Sequence, residues 1–208
     1  AARRDCEITG IDYVPGLIER AKLRAAAEGM DIDFRVGDAQ ALPFPDMNFD
    51  VVLSVFGVMF APDQEKAASE LLRVCRPGGT IGLASWMPEA FGRDFFEAHA
   101  RYVPPPPGAK PPVRWGTETG LEELFGNGTS SIKSERRSVF GYYRSIEHAV
   151  ELHCNYFGPT VRALTAVDAE AQKHLRKDIE EVFQRYNRAM DGTAMLEYQY
   201  LQTIATRA

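Results

Sequence analysis

The stretch "EITGIDYVPG" (residues 7–16) decides the reading of the chain. Ile8 and Ile11 flank Thr9 and Gly10, Asp12 sets a carboxylate at the tip of this apolar run, and Pro15 follows three residues later. A short apolar run bounded by turn residues reads as a buried strand. Proline suits the first turn of a helix, where its missing N–H would have had no partner. The pattern is therefore strand, carboxylate, helix. In open α/β sheets ligands bind beyond the carboxyl ends of the strands, so Asp12 lies where a ligand would be held.

Further along, strand and helix signals alternate. Residues 15–28 read as a helix closed by Gly29, 32–36 as an alternating strand, and 37–48 as a loop. "FDVVLSVFGVMF" (49–60) is continuous and β-rich, as expected of a strand buried on both faces. A helix starts at Pro62 and is stopped by Pro77-Gly78-Gly79, and "TIGLASW" (80–86) is another buried strand. Strands separated by single helices predict βαβ units and a parallel sheet.

Beyond residue 100 the pattern changes. The proline-crowded stretch 102–112 can be neither helix nor central strand. Residues 118–125 read as a short helix, 131–143 as a strand, and 145–157 as a helix capped by Ser145. Residues 168–190 read as a long helix capped by Asp168, and "MLEYQYLQTIAT" (195–206) as a closing strand. We expect one α/β domain over 1–208, with a cofactor-binding half at 1–90, a variable substrate or cap region at 91–160, and a closing helix and strand at 161–208. There are no internal repeats.

Composition narrows the function classes. The hydrophobic fraction is 45% and net charge is −5, so the chain can build a core but lacks the basic face that nucleic-acid backbones require. No apolar run reaches the ~18 residues of a membrane helix, and no signal peptide is visible. Cys6, Cys75 and Cys154 are odd in number, far apart and without metal-ligand spacing. They fit reduced thiols in a cytoplasmic protein with no metal.

Three polar residues fall at strand ends. Asp12 follows the first strand, Asp38 in "VGDA" the second, and Ser54 sits near the end of the third. A carboxylate offers about four lone-pair sites, enough to accept both hydroxyls of a ribose. Tyr13 offers a flat face for a base, and Asp38 can accept from an exocyclic amine. Each has a plainer reading: Asp12 as a helix cap, Asp38 as a turn former, Tyr13 as a surface aromatic, Ser54 as a core hydroxyl. Jointly they describe a nucleoside pocket.

"EITGIDYVPGLIERAK", "GDAQALPFPDMNFDVVLSVFGVMF" and "ELLRVCRPGGTIGLASW", in this order, resemble the class I S-adenosylmethionine-dependent methyltransferases. The resemblance is strongest to the small-molecule branch that includes ubiquinone- and menaquinone-biosynthesis enzymes, and covers about residues 5–90. It implies a Rossmann-like methyltransferase fold, a mostly parallel twisted sheet with helices on both faces and an antiparallel final strand. It implies S-adenosylmethionine as cofactor, with Asp12 on the ribose hydroxyls and Tyr13 and Val14 packing on the adenine. Asp38 and Ala39 would read the adenine edge, and Ser54, Val55 and Phe56 would lie beside the methionine portion. The turn Arg76–Gly79 is given no catalytic part.

One departure is large. The family's glycine-rich loop and the strand before it precede the acidic residue by roughly 20 positions, which here would place them ahead of Ala1. The chain reads as one that begins in mid-fold. Strands 7–11 and 49–56 would flank the absent strand, so they are expected not to pair directly. Left bare, those edges would keep the chain from being a stable monomer.

Methyl transfer from a sulfonium mainly requires alignment of nucleophile and methyl group, and some acceptors also need a base. His99, His148, His153 and Tyr143 are candidates, with His153 foremost because it lies on the apolar face of its helix. Trp86 and Met87, after the 80–86 strand, are candidate substrate contacts, and the proline-rich loop is a candidate wall of the same cleft. The aromatic-rich segments 91–102 and 140–157 point to a fairly apolar small molecule. Two rivals stand beside this reading. A nicotinamide-dependent oxidoreductase would share the acidic residue, but no Tyr-x-x-x-Lys pair occurs. A catalytically inactive, methyltransferase-like binding or scaffold protein would fit the missing glycine loop. The oligomeric state, including a homodimer, is left open.

Overall fold

A computed structural model describes residues 6–208; the first residue of the stretch that carries the resemblance lies outside them. The chain divides into two compact units, each assembled from separate segments. Unit 1 is Ala1–Gly82, Leu124–Ile132 and Ile204–Ala208, and unit 2 is Leu83–Glu123 and Lys133–Thr203.

In unit 1, β1 (Thr9–Asp12), α1 (Pro15–Ala27) and β2 (Asp33–Val36) form the expected βαβ turn. β1 and β2 pair in parallel from Thr9↔Asp33 to Asp12↔Val36 and form a two-stranded sheet of their own. Pro15 sits in the first turn of α1, as its fixed φ favours. β3 (Phe49–Val55), α2 (Gln64–Val74) and the first part of β4 (Cys75–Trp86) follow. The Asp63 carboxylate caps α2 by accepting from Lys66 N–H. Ala67, Ala68, Leu71 and Val74 on α2 are buried, as are Val58, Met59, Cys75 and Ile81.

β3 stands at one end of a four-stranded sheet ordered β3-β4-β6-β5, where β5 is Thr129–Tyr143 and β6 is Ala194–Arg207. A Cβ on Gly79 would meet the Asp50 carbonyl, and one on Gly82 would meet Leu53, so β3 and β4 run parallel. Arg207 donates to the Cys75 carbonyl and Met87 N–H to that of Gln199, so β6 runs antiparallel to β4. The final strand is thus the antiparallel member of a mixed α/β fold. β1 and β3 belong to different sheets and do not pair, as expected. Val51, Leu53 and Val55 on β3 are 52%, 60% and 68% exposed.

Unit 2 holds α3 (Phe91–Ala100), most of α4 (Glu118–Phe125), α5 (Ile146–Tyr156), α6 (Gly158–Ala166) and α7 (Ala169–Tyr186). Its core gathers Phe91, Phe95, Ala149, Cys154, Leu164, Leu175, Ile179, Phe183 and Leu196. Ser145 and Asp168 cap α5 and α7 through their side-chain oxygens. No helix among the described residues is long and apolar enough to cross a membrane.

Several boundaries differ from expectation for visible reasons. The run 49–60 is a strand only to Val55, because Phe56 takes φ 53° and residues 58–60 close a 3₁₀ turn. Pro77-Gly78-Gly79 is not a break before β4 but part of it. Gly78 supplies φ 72° and Gly79 lets the β3 backbone approach. The helix expected over 168–190 ends at Tyr186, where the Asn187 carboxamide accepts from Ala189 and Met195 N–H and turns the chain toward β6. α3 and α6 were not expected. The proline-rich stretch is irregular, as expected, but supplies none of the side chains around the cavity described below.

Candidate functional site

The parallel register of β1 and β2 brings Asp12 and Asp38 together at one sheet edge. Asp12 pairs with Val36, and its carbonyl accepts from Gly37 N–H at 3.1 Å, so Asp38 is the next residue along. Asp12 is half-buried, and its Oδ1 accepts from Val14 N–H at 2.8 Å. This bond shapes the turn into α1 and leaves Oδ2 with no partner among the described residues. Tyr13, 66% exposed, stands beside it, with half-buried Val14 next along the chain.

Asp38 is exposed and Ala39 half-buried. The Asp38 carboxylate accepts from Gln40 N–H at 2.8 Å and from the Gln40 carboxamide at 3.1 Å on each oxygen. The backbone and side-chain bonds from Gln40 hold its pKa below the usual carboxylate value. Gln40 Oε1 in turn accepts from Asp63 N–H at 2.9 Å, tying the loop to the start of α2.

Ser54 and Val55 end β3, in the other sheet, and Phe56 follows it. Ser54 Oγ accepts from Val58 N–H at 2.9 Å, so the hydroxyl helps build the turn after the strand. Phe56 holds the left-handed backbone there, a conformation costly for a bulky residue and a recurrent feature of binding sites. Val55 is exposed and Phe56 half-buried.

A second feature lies within unit 2. A cavity of about 220 Å³ is walled by Trp86, Phe91, Phe95, Phe96 and Phe157, with Tyr143, Tyr198 and His153 on its lining. The two tyrosine hydroxyls hydrogen-bond to each other at 2.8 Å, and burial raises both phenol pKa values. His153 Nδ1 lies 2.8 Å from the Ala149 carbonyl. A carbonyl can only accept, so Nδ1 carries the proton and Nε2 is a bare lone pair. Burial lowers the His153 pKa, with the Ala149 bond opposing and His99 adding to the shift, so the ring is neutral at pH 7.

The other candidate bases are engaged elsewhere. His99 is buried, donates from Nδ1 to the Phe95 carbonyl at 2.7 Å, and accepts at Nε2 from the Thr160 hydroxyl at 2.8 Å. His148 Nδ1 accepts from Arg144 N–H at 3.3 Å. Met87 is 3% exposed and does not line the cavity; its side chain packs in the core while its backbone joins β6. Trp86, one residue earlier and facing the other way, does line it. Among the described residues no three metal-ligating side chains cluster.

A methyltransferase-domain family model matches residues 1–83. The uncharacterized protein Rv1405c of Mycobacterium tuberculosis is 35% identical over 213 residues, spanning 100% of this chain and 76% of that protein. The demethylmenaquinone methyltransferase of Deinococcus radiodurans is 36% identical over 119 residues, 56% of this chain and 49% of that protein. Among solved structures, a putative methyltransferase from Bacillus halodurans superposes with a TM-score of 0.61 at 17% identity, covering 97% of this chain and 83% of that one. The chain belongs to the class I S-adenosylmethionine-dependent methyltransferase family.

In this chain the loop that carries Asp38 is held by a pair that sequence reasoning missed. Glu70 on α2, 5% exposed, accepts from Leu42 N–H at 2.7 Å and from Arg73 at 2.7 Å on both oxygens. Arg73 also donates to the Phe44 and Leu42 carbonyls at 2.7 and 2.9 Å and to Asp46 at 2.9 Å. The signal was present: Glu70 occupies the apolar stripe of α2 between Ala67 and Val74, where a carboxylate needs a partner. Tyr198 and Phe95 were likewise missed as cavity residues, although Phe91, Phe95 and Ala98 fall at helical spacing.

Proposed function

We propose that this chain transfers a methyl group from S-adenosylmethionine to a small-molecule acceptor. The observation that carries the reading is the placement of Asp12 and Asp38 at the carboxyl ends of adjacent parallel strands, in a chain of this family. The residues fit the cofactor. Asp12 Oδ2 is open to accept ribose hydroxyls, while Oδ1 is held by Val14 N–H and so fixes the carboxylate. Tyr13 and Val14 supply an apolar face for the adenine. Asp38 accepts three bonds from Gln40 and retains one lone-pair site, on Oδ2, for the adenine amine, with Ala39 beside it. Ser54, Val55 and Phe56 would face the methionine portion. The cofactor brings a methyl group on an already activated leaving group, so the protein's task is alignment. We place the protein in the cytoplasm, where Cys6, Cys75 and Cys154, all free thiols, would stay reduced.

The test is cofactor titration by calorimetry on the wild type and Asp38→Ala. S-adenosylmethionine and S-adenosylhomocysteine differ at sulfur, far from the base, so Asp38→Ala should weaken both alike. A variant that separates the two ligands, or binds both as the wild type does, removes Asp38 from the adenine site.

A further inference from the structure

We propose that the unit 2 cavity binds a neutral hydroxylated aromatic molecule, its ring held between aromatic walls and its hydroxyl donating to His153 Nε2. The observations are independent of the strand-end carboxylates. The walls are aromatic: Phe91 lies edge-on to Tyr198 at 4.9 Å between ring centres, and Trp86 lies 6.0 Å from Tyr198. Such walls favour a flat ring in stacked or edge contact. The space of about 220 Å³ exceeds the roughly 150 Å³ that takes up a benzene, which leaves room for a fused second ring.

The polar groups on the lining form a complementary set. In the Tyr143–Tyr198 pair one O–H donates to the other oxygen, so the accepting tyrosine keeps its own hydrogen to donate elsewhere. His153 Nε2 can only accept, because Nδ1 holds the ring's proton against the Ala149 carbonyl. The His153 ring centre is 6.0 Å from that of Tyr143 and 6.2 Å from that of Tyr198. A hydroxyl both donates and accepts, and one hydroxyl answers both groups. The lining includes no Lys, Arg, Asp or Glu, so a charged ligand would lose its hydration without gaining a counter-charge. Gln199 also borders the space, and a carboxamide can donate or accept. The inventory favours a neutral phenol-like molecule over a carboxylate, a charged amine or a plain hydrocarbon.

Calling this molecule the methyl acceptor rests on the proposed function; the binding claim does not. The test uses the 208-residue chain without cofactor and three fluorescent probes: 2-naphthol, 2-methoxynaphthalene and naphthalene-2-sulfonate. Wild type should bind 2-naphthol about 10-fold more tightly than 2-methoxynaphthalene, which has no donor for Nε2, and should not take up the sulfonate. In His153→Phe the preference for 2-naphthol should fall to about 1-fold. His153→Gln, which keeps an acceptor, should retain part of it. Equal wild-type affinities for 2-naphthol and its methyl ether, or no 2-naphthol binding by wild type, overturn the proposal. So does a His153→Phe variant that folds and keeps the preference. S-adenosylhomocysteine titrated separately distinguishes the failures. Naphthol binding without cofactor binding refutes the methyltransferase reading alone, and cofactor binding without naphthol binding refutes the cavity assignment alone.

Discussion

Glu70→Ala should loosen the loop that carries Asp38. In the structure Glu70 is the acceptor for Leu42 N–H and for two nitrogens of Arg73, and Arg73 holds the Leu42 and Phe44 carbonyls. Removing the carboxylate leaves a half-buried amide without its charged acceptor, a loss of about 1.5–3 kcal/mol for a fully desolvated bond. Because Leu42 is only half-buried, water recovers part of it, and about 1–2 kcal/mol is the expected cost. For a chain of this size that lowers the melting temperature by about 2–8 °C. The Arg73 guanidinium keeps its bonds to the Leu42 and Phe44 carbonyls and to Asp46 but loses the carboxylate that orients it, and residues 37–48 open locally more readily. Hydrogen exchange by mass spectrometry reads this directly: peptides from 37–48 should exchange faster in Glu70→Ala, while α7 should be unchanged. Cofactor affinity should fall although Glu70 touches no proposed cofactor contact, and Glu70→Gln, which keeps an oxygen for Leu42, should lie between. Unchanged exchange in 37–48 with an unchanged melting temperature would refute the reasoning.

Acidification should destabilise the protein through two buried imidazoles. His99 and His153 have folded pKa values lowered mainly by burial. Near and below the unfolded value of about 6.5 the unfolded chain takes up protons that the folded chain refuses. Their contribution is therefore present above that pH and is lost as pH falls through the folded values. Chemical denaturation from pH 8 to pH 5 should show it, and His99→Gln should flatten the slope; an unaltered slope would deny His99 its part. Separately, β3 ends the four-stranded sheet with Val51, Leu53 and Val55 exposed, a surface that favours pairing with other chains. Sedimentation should show concentration-dependent association, reduced in Leu53→Lys; a monomer at all concentrations would contradict this.

Which parts were legible in the sequence follows from how local each signal is. The turn from β1 into α1 could be read because Asp12, the strand before it and Pro15 act within a few residues. The Ser145 and Asp168 caps were readable for the same reason. The end of β3 was not, because residues 56–60 are as apolar as those before them. What stops the strand is the backbone of Phe56 and the Ser54 hydroxyl reaching Val58 N–H. α3 was hidden in a segment read for its aromatic chemistry rather than its period. The segments 91–102 and 140–157, singled out as aromatic, do supply cavity walls, but Tyr198 comes from β6, and no local rule could bring it there. The Asp38 loop shows the same limit: its own turn is local, whereas its clamp lies about 30 residues away on α2 (Leu42 to Glu70 and Arg73).

The most direct test of the central claim is calorimetric titration of S-adenosylhomocysteine into the wild type, Asp12→Asn and Asp12→Ala. Asp12→Asn keeps an oxygen for Val14 N–H and so preserves the turn, while losing the charge that would accept both ribose hydroxyls. At about 1.5–3 kcal/mol for a charged hydrogen bond, both variants should bind about 10- to 100-fold more weakly than wild type. Asp12→Asn should keep the wild-type melting temperature. Wild-type affinity in Asp12→Asn and Asp12→Ala would contradict the account, because the carboxylate at the end of β1 would then hold no cofactor.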